Sequence, residues 1–137
     1  MPLQEPKVFE KIFAVTDDLA VHFLGSQVTP ALSTPGLVLW MELTSRENVA
    51  SLLKEGEDTV GVSVSIKHLA PTPVGMKVRV VSRLMNVEGR IYSFEVEAYD
   101  EVEKIGEATH TRAAVAVAKF ASRIKAKSSQ SGGKLPG

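Results

Sequence analysis

The sequence predicts an α+β fold in which one long central helix is wrapped by a curved antiparallel sheet of about five strands. Three observations predict it. The run Leu37-Val38-Leu39-Trp40-Met41-Glu42-Leu43 covers every face of a helical wheel with apolar residues, so that helix needs to be enclosed. After Asp58 the hydrophobic period switches to two. From there to Val117 the chain consists of long alternating segments joined by turn chemistry such as Glu88-Gly89.

The elements follow in order. Val8 to Val15, with Phe9 and Phe13 among β-branched neighbours, predicts a first strand. Thr16-Asp17-Asp18 offers capping side chains ahead of Leu19 to Leu24, read as a short helix closed by Gly25. Ser26 to Ser33 contains Thr29-Pro30 and reads as a loop. Thr34 then serves as N-cap and Pro35 as first residue of the long helix, which turns amphipathic after Thr44 and stops at Gly56. Val60, Val62, Val64 and Ile66 alternate with Gly61, Ser63, Ser65 and Lys67 as a half-buried strand. Pro71 to Gly75 breaks the pattern. Further strands are expected over Met76 to about Val87, Arg90 to Tyr99, and Val102 to about Val117. Residues 1–120 are expected to form a single domain, and residues 121–137, rich in Ser, Lys and Gly, a disordered tail. One enclosed helix and a curved sheet in this order make the hotdog architecture; a two-layer α+β sandwich with a flatter sheet is the competing arrangement.

At 137 residues the chain has room for one core. Its formal net charge of +0 supplies no global field for nucleic acid or an anionic membrane, so neither is expected as a partner. The absence of cysteine excludes disulfides, thiolate metal sites and cysteine nucleophiles. The N-terminal segment does not read as a signal peptide, and the longest apolar stretch, Gly36 to Met41, is far short of a membrane span. A cytoplasmic protein is expected. There is no nucleotide-binding glycine motif and no nucleophile elbow, and His22, His68 and His110 are too scattered for a zinc motif, so no metal or cofactor is expected.

Some residues do not fit their surroundings. Glu42 sits among Leu39, Trp40, Met41 and Leu43. A carboxylate held in an apolar setting must be paired, hydrogen-bonded or protonated, and is suited to general-base or nucleophilic work. The alternative is a helix-edge position or a pairing with an arginine in a dimer contact. His68 shares the phase of Val64 and Ile66 and ends its strand just before the Pro71–Pro73 break, where a pocket mouth would lie; a hydrogen-bonded core histidine is the plainer reading. Thr34, as N-cap, already has a structural use. It lies about 12 Å along the helix from Glu42, too far for a direct hydrogen bond. A later helix start, a bridging His68, or contributions from opposite protomers would each resolve that distance. On the last strand His110 and Arg112 share a phase with Gly106, Ala108, Ala114 and Ala116. That small-residue face would admit the helix and point Arg112 inward, where it needs an acid or a ligand; an outward orientation stays open.

Taken together, Ser33-Thr34 before the apolar helix, Leu39-Trp40-Met41-Glu42 within it, Gly61 to His68, Ala70 to Gly75, Val87-Glu88-Gly89-Arg90, and Ile105-Gly106 to His110-Thr111-Arg112-Ala113 resemble the hotdog thioesterases, specifically the fluoroacetyl-CoA thioesterase-like group. The resemblance spans roughly Phe9 to Phe120. It implies a thioesterase that hydrolyses an acyl-CoA, with coenzyme A entering as part of the substrate. It places that family's catalytic threonine, glutamate and histidine on Thr34, Glu42 and His68, and its substrate-binding glycine and arginine on Gly61 and Arg112. It also implies a homodimer with sites at the subunit interface, in line with the need of an edge strand for a partner. The stretch ahead of Thr34, Val28 to Leu32, lacks the phenylalanines that the fluoroacetyl enzyme carries there, which leaves the acyl group open. On this reading His68 acts as general base, Glu42 orients it or attacks, and Thr34 presents a hydroxyl. A hotdog enoyl-CoA hydratase and a non-catalytic acyl-CoA binding module are the rival expectations.

Overall fold

The computed structural model describes residues 1–137. The elements are β1 (Pro2–Ala14), a 3-10 turn (Asp17–Leu19), β2 (Ala20–Val21), β3 (Ala31–Leu32), α1 (Thr34–Val49) extended by a 3-10 turn (Ala50–Leu52), β4 (Glu57–His68), β5 (Lys77–Glu88), β6 (Ile91–Tyr99), β7 (Lys104–Ala116) and α2 (Val117–Gln130). The main sheet is five-stranded in the order β1-β5-β6-β7-β4, antiparallel throughout, and β2 and β3 form a small separate ribbon. This is the α+β hotdog fold. No helix is long and apolar enough to cross a membrane.

The central helix packs where the sheet offers small residues. A Cβ placed on Gly106 would meet Leu37 Cδ2 at 2.8 Å, so glycine there permits the close approach of α1 to β7. Leu37 and Met41 are fully buried, each contributing about 1.5–3 kcal/mol through removal of apolar surface from water. Trp40 stacks on Phe13 of β1 with ring centroids 4.9 Å apart. Polar side chains also reach this interface and are satisfied: Ser45 Oγ lies 3.0 Å from Ser82 Oγ, and Asn48 Nδ2 donates to the carbonyls of Lys7 and Ser82.

Helix α1 is not enclosed on every side within one chain. Leu39 is 43% exposed and Leu43 38%, one helical turn apart on the open face of α1. The short helix expected at Leu19–Leu24 is a 3-10 turn followed by β2, because Ala20 and Val21 pair with Leu32 and Ala31 instead of closing helical turns. Gly25, at φ 111°, lies in the turn beyond β2 and closes no helix. Part of the tail expected over 121–137 is helical instead: α2 runs to Gln130, although none of its residues is buried.

The strand expected over Val60 to Lys67 runs from Glu57 to His68, but its phase is not continuous. Gly61 pairs with Arg112 and Ser63 with Thr111, so Val62 is an extra, bulged residue. Before the bulge Thr59 and Gly61 face the helix; after it Val64, Ile66 and His68 do, opposite His110, Ala108 and Gly106. Val62 is turned out to solvent, 59% exposed.

Candidate active site

The inward-facing strand residues and the open side of α1 bring the sequence-predicted site residues into two groups. The first lies at the start of α1. Ser33, not Thr34, is the N-cap: its backbone is extended and its Oγ accepts from Gly36 N at 3.0 Å. Thr34 is already helical, so its hydroxyl is released from capping, and its Oγ1 lies 2.8 Å from His68 Nδ1. His68 closes β4 and is half-buried; desolvation pushes its imidazole below the usual value of 6.5, favouring the neutral base. Its Nε2 is the one buried side-chain polar atom without a hydrogen-bond partner in the chain.

The second group lies two turns further along α1. Glu42 Oε2 stands 3.3 Å from Arg112 Nη1, with the glutamate side chain 36% exposed and the arginine side chain 5%. The carboxylate is therefore at the helix edge and paired with arginine, not sunk in the apolar core. Gly61 lies beneath it, where a Cβ would collide with Glu42 Oε2. The bulge at Val62 is what turns Gly61 to this side. An open hollow of about 230 Å³ is lined by Glu42, Gly61, Val62, Ser63 and Val64.

Arg112 points inward and is held from three directions. Its Nε donates to Thr59 Oγ1 and its Nη2 to Thr59 O, each at 2.8 Å, while Nη1 reaches Glu42 and, at 3.3 Å, His110 Nε2. Burial lowers its pKa from the ordinary arginine value, opposed by Glu42, and the guanidinium stays charged. His110 Nδ1 lies 2.8 Å from the carbonyl of Ser63, which can only accept. The proton is thus on Nδ1, and Nε2 offers its lone pair to Arg112. Burial pushes His110 below its usual value, consistent with that neutral tautomer.

Sequence reasoning missed Thr59 as a holder of Arg112 and left His110 without a role. The available signal was the His110-x-Arg112 spacing, which sets both on one face of a strand. The structure unites Thr34 with His68, and Glu42 with Gly61 and Arg112. It does not unite the two groups in one chain: they stand about 12 Å apart along α1 and about 20 Å apart along β4.

The fold and the sequence together place the chain among the hotdog-fold thioester hydrolases. A family profile described as FlK, fluoroacetyl-CoA-specific thioesterase, matches residues 15–118, and the chain belongs to that family. It is 37% identical over 95 residues to the fluoroacetyl-CoA thioesterase of Streptantibioticus cattleyicolor, covering 69% of this chain and 68% of that one. Among solved structures, a fluoroacetyl-CoA thioesterase superposes with TM-score 0.83 at 30% identity, covering 91% of this chain and 97% of that one. A thioesterase superfamily member of Thermus thermophilus superposes with TM-score 0.83 at 32% identity, covering 94% of this chain and 96% of its own. A threonine-to-serine mutant of the fluoroacetyl-CoA enzyme, solved in complex with acetyl-CoA, superposes with TM-score 0.82 at 30% identity, covering 91% and 98%.

Proposed function

We propose that the protein hydrolyses short acyl-CoA thioesters as a C2 homodimer in which each site takes Thr34 and His68 from one protomer and Glu42, Gly61 and Arg112 from the other. The observation that carries this reading is the Thr34–His68 pair, whose far nitrogen, Nε2, is buried and unpartnered. Strand β4 is the sheet edge beside it, Val62 on it is exposed, and Leu39 and Leu43 leave further apolar surface exposed on α1. Antiparallel self-pairing of β4 about a two-fold axis at Ser65 sets Val64 opposite the partner's Ile66. Skipping the bulged Val62, the same register sets His68 opposite the partner's Gly61. Glu42 stands over Gly61, so this pairing brings the two groups face to face.

In the assembled site His68 takes the proton of the oxygen that attacks the thioester carbonyl and returns it to the departing sulfur as the C–S bond breaks. Thr34 fixes the imidazole through Nδ1. Glu42 stabilises the imidazolium as it forms, and Arg112 supplies a fixed cation beside the acyl end. The steric limit at Gly61 and the small hollow favour a short acyl group.

Release of free thiol from a panel of acyl-CoA esters tests the activity. Mixing two inactive variants, Thr34→Ala and Glu42→Gln, tests the shared site. Exchange of subunits restores about a quarter of wild-type sites if each site draws on both protomers. No recovery from exchanged subunits overturns the composite site.

A further inference from the structure

Glu42 has two arginines for neighbours. Arg112 meets it from the sheet, and Arg46 stands four residues further along α1. Side chains at that spacing lie one above the other on a helix, and a glutamate followed by a basic residue four positions on is the favourable order for an ion pair. Arg46 nonetheless turns to β4. It grips Asp58 with both arms of its fork, Nε to Oδ1 at 3.0 Å and Nη2 to Oδ2 at 2.6 Å. Asp58 is fixed in turn, because the backbone N–H of Thr59 donates to its Oδ1 at 2.7 Å.

The next residue of the strand restrains the other arginine. Thr59 occupies Nε and Nη2 of Arg112, an edge that otherwise grips a carboxylate by two parallel bonds, and Nη1 alone reaches Glu42. Glu42 therefore receives one contact, at Oε2, and its Oε1 is bound by no group of the chain. The other acids near Arg46 are engaged: Glu47 holds Lys11 at 2.6 Å, and Glu57 accepts from the backbone N–H of Lys54. Were Asp58 uncharged, Glu42 would be the acid left to Arg46.

A forked arginine on Glu42 would engage both oxygens and draw the carboxylate along the helix, off Gly61. We propose that Asp58 is a positioning residue for the reaction: by binding Arg46 it keeps that arginine off Glu42 and leaves the carboxylate an oxygen free for the imidazolium. The inference rests on the role given to Glu42 above.

Two full-length variants test it, Asp58→Asn and the double variant Asp58→Asn/Arg46→Gln, assayed on acetyl-CoA and butyryl-CoA. The Arg46 side chain is 51% exposed and that of Asp58 33%, so breaking their pair leaves the fold intact. Asparagine still accepts from Thr59 N but has no charge to hold Arg46, so kcat falls about tenfold or more while KM stays within about threefold. Removing Arg46 as well removes the competitor, and kcat of the double variant recovers to within about threefold of wild type. A merely structural Asp58 gives no such recovery. Wild-type kcat in Asp58→Asn, or a double variant no faster than Asp58→Asn, overturns the inference. Glu42→Gln assayed alongside separates the two readings: its inactivity beside a fully active Asp58→Asn removes Asp58 and keeps Glu42, whereas a fully active Glu42→Gln removes both. The crystal structure of Asp58→Asn tests the geometry apart from turnover. Arg46 is expected on Glu42, and Arg46 still at residue 58 or extended into solvent overturns the inference.

Discussion

Gly61 lies so close beneath Glu42 that no side chain fits between them: a Cβ on residue 61 would occupy the place of the carboxylate oxygen Oε2. The bulge at Val62 creates this contact by turning Gly61 toward α1, opposite Arg112. Gly61→Ala must displace the carboxylate from Arg112. Displacement of a positioned group by about 1 Å costs about 10²-fold, so kcat/KM for the best CoA substrate should fall by that order. The half-exposed glutamate has solvent to move into, but the buried Arg112 loses its carboxylate, so stability should drop by about 1–3 kcal/mol. Steady-state kinetics beside a melting curve checks both; a variant with wild-type kinetics would remove Glu42 from the reaction.

Ser33 and Thr34 divide two tasks that adjacent hydroxyl residues at a helix start make hard to separate. Ser33 caps α1, and Thr34 faces His68. Ser33→Ala should therefore cost about 1 kcal/mol of stability while leaving kcat near wild type. Thr34→Ala should do the reverse, keeping the melting temperature and losing turnover, and Thr34→Ser, which retains the hydroxyl, should recover much of it. The contrast is read from paired melting and activity measurements on the three variants.

Much of the fold was legible because its signals are long and periodic. The enclosed face of α1, the strands after Asp58 and the Glu88-Gly89 hairpin all follow from spacing alone; the small-residue face of β7 that admits Leu37 was visible, but its inward orientation was not. The site was legible in its residue types but not in its arrangement. Val60, Val62, Val64 and Ile66 read as one unbroken alternation, and an inserted residue cannot be seen in such a run, since each valine suits either face. That hid the inward turn of Thr59 and Gly61. Ser33-Thr34-Pro35 allows two helix starts one residue apart, and only the backbone angles distinguish them. Helix α2 was missed because its charge and small residues carry the composition of a tail, and an amphipathic helix that buries nothing leaves no core signal.

On the proposed mechanism, His68 sets the acid limb of the pH profile. Burial lowers its pKa from 6.5, and the neutral ring is the form that accepts a proton. Activity should be highest with the ring neutral and fall as pH drops through the His68 value, with a slope near one proton in log kcat/KM. His68→Ala should lose about 10²–10⁴-fold in kcat and abolish the limb. An acid limb that persists in His68→Ala would assign it to another group.

His110 should reveal itself through the pH dependence of stability. The groups around it are Arg112 at Nε2, the Ser63 carbonyl at Nδ1, the Phe94 ring and, beyond Arg112, Glu42. Desolvation lowers its folded-state pKa, with Arg112 acting in the same direction and Glu42 and the Ser63 hydrogen bond opposing. The folded state thus binds the proton less readily than the unfolded chain. Its contribution is fully present above the unfolded value of about 6.5 and is lost as pH falls from there through the folded value. His68 works with the same sign, so the wild-type curve alone does not separate them. His110→Phe preserves the ring volume but leaves Arg112 Nη1 and Ser63 O each short of a partner, a loss of about 1–3 kcal/mol at pH 7.5. Because the variant has no proton to bind at this position, the gap between variant and wild type should narrow as pH drops from 7.5 to 5.5 in denaturant titrations. Arg112 would also lose one of the contacts that aim it at Glu42, so kcat should fall more than KM rises; a pH-independent gap with unchanged kcat would make His110 packing alone.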